Sequence, residues 1–252
     1  MENFLKSYWE TILFFALAGL IGGFLVGIFL MDSYPAEIRQ QIYEQGINDT
    51  LLGLITAIQS AGYGLVLGVI GIILGKRTGM WKDEHTITRQ PLVAAIAVAV
   101  AGGMAMILLD IFFFGNDSQV IMDSYATKPS IAFLLGSVIY GGIIEEVMLR
   151  LFMMSLVAFL LHKIFWKKQE QTPVAALVVA NIVSALLFAM GHLPATAVLM
   201  GLTPMTLLRC FLLNGGIGLM FGFLYRKHGL RYAMIAHAGC HIVSKLIWIL
   251  FI

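Results

Sequence analysis

The chain has 252 residues, 60% of them hydrophobic and only 12% charged, where a soluble domain carries about 25% charged residues. This excludes a water-soluble globular protein and predicts an all-α, polytopic transmembrane helix bundle whose length suits one membrane domain. The net charge is +2, and no stretch is rich enough in Lys and Arg to bind nucleic acid. The partners expected are therefore the lipid bilayer and a membrane-associated peptide or protein.

A helix needs about 20 apolar residues to cross the hydrocarbon core. Candidate spans fall near 11–31, 51–75, 91–114, 131–166, 173–192, 204–225 and 232–252. The first run lacks a small-residue cleavage site behind it and is expected to be a span, not a signal peptide. In span one, Gly19, Gly23 and Gly27 repeat at four-residue spacing, as do Gly64 with Gly68 and Gly218 with Gly222. In a membrane that spacing permits close helix packing. Segment 32–50 holds four acids and only Arg39, whereas 76–90 holds Lys76, Arg77, Lys82 and Arg89. Segment 115–130 holds Lys128 alone among bases, the next turn holds Lys163, Lys167 and Lys168, and the last turn holds Arg226, Lys227 and Arg231. With Lys6, eleven bases fall on one side and two on the other. The positive-inside rule then puts the N-terminus in the cytoplasm and the C-terminus outside. The fourth run is too long for one simple span. It either projects into the cytosol or breaks in two, so the expectation is seven to eight spans. Thr172-Pro173 and Thr203-Pro204 each set a capping residue before a proline suited to a helix start.

Charge inside this apolar background is informative. Glu145, Glu146 and Arg150 lie within the fourth run, and charged side chains at mid-membrane cost about 2.5–3.5 kcal/mol each even on translocon scales. On a helix, Glu145 and Glu146 are about 100° apart, so one faces a cavity while the other turns to a neighbour. Arg150 follows Glu146 by four residues, a spacing that favours an ion pair. His192 sits near the end of span five. If spans four and five form a hairpin about residue 169, Glu145 and His192 lie level at equal rise per residue. A carboxylate and an imidazole at one height on adjacent helices can share a water. His237 and His241 lie on one face of the last span. That spacing suits zinc, and equally two donors to a developing oxyanion.

Other polar residues have plainer expectations. Asp110 is expected at the interface. Asn181, Ser184 and Asn214 are expected to bond across helices. His85, His162 and His228 are expected in solvated turns, and Cys210 and Cys240 as buried small hydrophobes. Water is expected to reach the polar site from the cytoplasmic side.

Three motifs, Glu145-Glu146-Val-Met-Leu-Arg150, Phe188-Ala-Met-Gly-His192 and His237-Ala-Gly-Cys-His241, together resemble the CPBP intramembrane protease family, which includes the type II CAAX prenyl proteases and bacterial Abi-type proteins. The resemblance covers roughly 130–245, while 1–129 reads as generic N-terminal spans. It implies an intramembrane endopeptidase, in which Glu145 activates water with help from His192. Glu146 and Arg150 would support Glu145, and His237 and His241 would stabilise the oxyanion. In a metal-dependent version Glu145, His192, His237 and His241 would hold one zinc ion. Position 241 is His where several members have Asn, and Leu149 stands where the family often has Phe. The localisation implied is a prokaryotic plasma membrane. The alternative is a non-enzymatic membrane protein: a proton-coupled transporter, or an immunity or scaffold protein.

Overall fold

The computed structural model describes residues 2–83 and 86–252; His85 lies outside them. Among the described residues there are nine helices and no strand. These are α1 (Glu2–Ser33), α2 (Ala36–Glu44), α3 (Asp49–Thr78), α4 (Arg89–Phe114), α5 (Gln119–Asp123), α6 (131–165), α7 (Val174–Met200), α8 (Pro204–His228) and α9 (Leu230–Phe251). Helices α1, α3, α4, α7, α8 and α9 are long and apolar enough to cross a membrane. Their outward faces stay apolar, as at Ile58 on α3, Phe112 on α4 and Val178 on α7. That is the surface lipid requires.

Local chemistry sets the helix ends. Asn48 caps α3 by accepting from the Leu51 amide at 2.9 Å, and Thr203 opens α8 with a reciprocal capping box to Thr206, Pro204 following as expected. Gly79, Gly201 and Gly229 stand at positive φ where α3, α7 and α8 end, a conformation that other residues adopt at a cost. The α6–α7 turn departs from expectation. Pro173, not Thr172, occupies the capping position of α7 and makes no side-chain cap bond. The Thr172 hydroxyl instead meets His162 Nδ1 at 3.0 Å, and His162 Nε2 meets the Gln169 carbonyl oxygen at 3.0 Å. His162 is therefore not a solvated bystander. It ties the turn together, because its ring reaches two polar groups of the loop it precedes.

Helix α6 is the axis of the bundle. Its first half packs on α1 and α9, and its second half on α3 and α7. At 1.5 Å per residue a helix over 131–165 is about 50 Å long, more than the ~30 Å hydrocarbon core. Its middle winds in wide π-type turns over Ser137–Glu145 and Val147–Met154. Such turns are rare and gather at functional sites. Glycines let its neighbours close in: a Cβ on Gly23 would sit 2.6 Å from the Thr56 carbonyl oxygen, so α1 and α3 touch backbone to backbone. Beyond Glu146, α6 contributes Val147, Leu151, Met154 and Ala158 to the main core, together with Phe221, Leu224 and Tyr225 of α8.

Asp110, near the end of α4, is fully buried by protein. Arg209 of α8 grips both of its oxygens at 2.6 Å, and the Tyr125 hydroxyl donates to one at 2.7 Å. Those three donors replace the water an interface would have supplied. Asn181 and Ser184 do bond across helices, to the carbonyls of Leu219 and Leu149. Asn214 bonds back to the Cys210 carbonyl of its own helix. Cys210 and Cys240 are buried and free.

Candidate active site

Glu145, His192, His237 and His241 line one cavity of about 350 Å³. Glu146 and Arg150 stand behind it. The α6–α7 hairpin brings Glu145 and His192 together. It is clamped by the Ser184 hydroxyl donating to the Leu149 carbonyl at 2.6 Å and by the Arg150 guanidinium lying 4.5 Å from the Phe188 ring centre.

The adjacent glutamates differ in surroundings. Glu145 keeps 19% of its side chain exposed, towards the cavity, while Glu146 keeps none. Arg150 Nη1 lies 3.1 Å from Glu146 Oε1, one turn further along the same helix. Arg150 Nη2 donates to the Gly218 carbonyl at 3.0 Å. That approach needs a glycine, since a Cβ at 218 would come within 2.8 Å of the guanidinium. A buried ion pair is held against its desolvation cost only by such extra bonds.

His237 joins α9 to this pair. Its Nδ1–H donates to Glu146 Oε1 at 2.8 Å, and its Nε2 lies 3.7 Å from Glu145 Oε2. The ring is stacked between Phe221, at 4.5 Å, and His241, at 5.0 Å. His192 Nδ1 lies 2.9 Å from the Phe188 carbonyl oxygen. A carbonyl only accepts, so Nδ1 carries the proton and Nε2 keeps its lone pair. His241 has Lys245 Nζ 3.5 Å from its Nδ1. Lysine only donates, which leaves the His241 proton on Nε2.

Gly141 makes room for the imidazoles. A Cβ there would lie 2.7 Å from His241 Nε2 and 3.5 Å from His237 Nε2. Beside it, Gly142 admits Ala238 of α9. Neither glycine carries a charge or fits a four-residue glycine row, so the sequence reading passes them over. The usable signal is their position one turn before Glu145-Glu146. Tyr140 and Lys245 also line the cavity and were likewise missed.

The zinc arrangement fits poorly. Among the described residues no three His, Cys, Asp or Glu side chains form a group that could hold a metal ion. The His237 and His241 rings are only 29° from parallel.

A second cavity adjoins the site. On the N-terminal side the packed layer of Val147, Leu151, Phe221 and Leu224 closes the site. On the opposite side the second cavity, of about 570 Å³, shares Phe29, Phe133, Arg209 and Lys245 with the first. It reaches Asp32, Ser33 and the 123–130 segment. The polar path therefore runs to the face away from the N-terminus, because apolar packing fills the other.

Residues 127–243 match a family model described as type II CAAX prenyl endopeptidase Rce1-like. No curated protein matches the chain, and no solved structure does. The matched segment contains Glu145, Glu146, Arg150, His192, His237 and His241, and with six helices long and apolar enough to cross a membrane, the chain is an integral membrane protein whose residues 127–243 are similar to the Rce1-like, CAAX-protease family.

Proposed function

We propose that the protein is an intramembrane endopeptidase that hydrolyses membrane-associated or lipid-modified peptides with water activated by Glu145 and His192. The observation carrying this reading is the division of labour between neighbours. Glu146 is buried and tied to Arg150 and His237, while Glu145 keeps an open edge on a cavity that His192 and His241 also line.

In this reading a water lies between Glu145 and His192 Nε2. Glu145 takes its proton as the oxygen attacks the peptide carbonyl. The new C–O bond gives a tetrahedral oxyanion, which accepts from His241 Nε2–H and, when the His237 ring carries both protons, from His237 Nε2–H. Glu145 then returns the proton to the leaving nitrogen as the C–N bond breaks. Glu146 and Arg150 position His237. The protease core would occupy 130–245 of one membrane domain, with the N-terminus cytoplasmic in a prokaryotic plasma membrane.

The test compares wild type with Glu145→Gln in host membranes by profiling new peptide N-termini. Termini present with wild type and missing with the variant support the reading and identify substrates. Equal profiles at equal expression overturn it, and proton flux into liposomes then tests the transporter alternative. Cleavage by purified protein should persist after chelator treatment.

A further inference from the structure

The α8–α9 turn carries Lys227, His228 and Arg231, and packing adds a fourth base from far away in sequence. Gly229, at φ +104°, leaves the turn without a side chain there. The Lys82 stem lies over it, since a Cβ at 229 would come within 3.2 Å of Lys82 Cγ. These four bases line one pocket of about 530 Å³, between the ends of α3 and α8 and the starts of α4 and α9. Among the described residues Lys82, Lys227 and Arg231 pair with no carboxylate. Asp83, on the same pocket, is taken by Lys76 at 3.1 Å, with Tyr8 and Trp81 donating to it at 2.7 Å. A cleft lined by one sign of charge concentrates the opposite ion. A groove of about 300 Å³ shares Trp81, Lys82, His228 and Arg231 with the pocket and continues between α1 and α9 along Phe14, Phe15 and Met234. Phe14 is 50% exposed. Glu10 borders the groove and forms no ion pair with these bases.

We propose that the pocket and groove together bind one anionic phospholipid. Its phosphodiester meets Lys82, Lys227 and Arg231, and an acyl chain lies along Phe14 and Met234. Basic pockets between transmembrane helices take anionic headgroups in this way. A zwitterionic lipid would bring a quaternary ammonium in among the bases, where like charge repels it. A soluble phosphate would use the pocket and leave the groove empty. The site shares no lining residue with the cavity of Glu145, so its occupancy does not depend on the cleavage chemistry. It joins four helix ends, and a lipid bound there stabilises the folded bundle by mass action.

The probe is dioleoyl phosphatidylglycerol, added to full-length protein in a non-ionic detergent and counted by native mass spectrometry. One equivalent should bind at least about tenfold more tightly than dioleoyl phosphatidylcholine and raise the apparent Tm. Lys82→Gln, Lys227→Gln and Arg231→Gln should each weaken it about fivefold, and Lys82→Arg should bind like wild type. Lys82 and Lys227 are exposed, so their variants are expected to fold. Lys167→Gln with Lys168→Gln removes two charges at the α6–α7 turn and should leave binding unchanged. Equal binding of the two lipids, or Gln variants that bind like wild type, overturns the proposal. So does an equal loss in the Lys167, Lys168 double variant, which would make the attraction one of net charge. Glycerol phosphate, which has the headgroup charge and no acyl chain, separates the sources of the anion. If it displaces the lipid at equal concentration, the occupant is a soluble phosphate and the proposal fails.

Discussion

Two buried carboxylate–arginine pairs sit in this bundle, and they are built differently. Asp110 and Arg209 come from different helices and saturate each other, two short bonds to two oxygens, with Tyr125 completing the set. Glu146 and Arg150 belong to one helix and do not saturate. Both Arg150 and His237 address the same oxygen, Oε1, while Oε2 has no hydrogen-bond partner among the described residues. A saturated pair is a brace and gains nothing from a third residue. The unsaturated pair aims something else, here the imidazole facing Glu145.

That contrast is open to measurement. The largest effect should come from Glu145→Gln, which lowers cleavage by about 10²–10⁴-fold, the usual contribution of a general base, with little change in apparent Tm because the side chain borders a cavity. Next is Glu146→Ala. It strands a buried guanidinium and should destabilise the protein by about 3–5 kcal/mol in thermal scans in detergent. The double change Glu146→Leu with Arg150→Met should recover most of the stability and none of the cleavage, since His237 loses its Nδ1 partner. For the brace the pattern reverses. Asp110→Asn should cost about 2 kcal/mol, less than a fully buried pair because Arg209 keeps 20% exposure, and Asp110→Leu with Arg209→Met should restore both stability and cleavage. If the Asp110 double variant is stable yet inactive, the distinction between brace and aiming device fails. Gly141→Ala should lower cleavage by about tenfold, equivalent to ~1.4 kcal/mol, with a small drop in Tm as His241 is displaced. Thr172→Ala, at the remote turn, should cost no more than about 1 kcal/mol and leave the cleavage rate unchanged.

The bundle was legible in the sequence because lipid forces apolar runs of a set length, and the position of Glu146 with Arg150 followed from helix spacing alone. The juxtaposition of Glu145 with His192 followed from counting along one hairpin. Partners contributed by distant helices were not legible. The partners of Asp110 were not legible because nothing near it in sequence announces Arg209 or Tyr125. Gly141 acts through what α9 lays against it and Lys245 through the Phe133 ring of α6, and those contacts depend on packing. His162 and Thr172 were misread because a loop's course decides which hydroxyl caps a helix and which turns to a ring. Which end of the bundle the second cavity faces was not legible for a similar reason: charge counts in loops say nothing about which end of a bundle packs tightly.

The pairing of Glu146 with Arg150 on one helix has a consequence for how the protein is made. Segments leave the ribosome in order, and α9 is the last of the nine. When α6 enters the bilayer its two strongest charges already offset each other one turn apart, so the segment need not wait for His237 before it becomes tolerable to lipid. Asp110 has no such companion on α4 and stays uncompensated until α8 delivers Arg209. During biogenesis α4 thus depends for Asp110 on the late arrival of Arg209 or on an insertion partner that shields it.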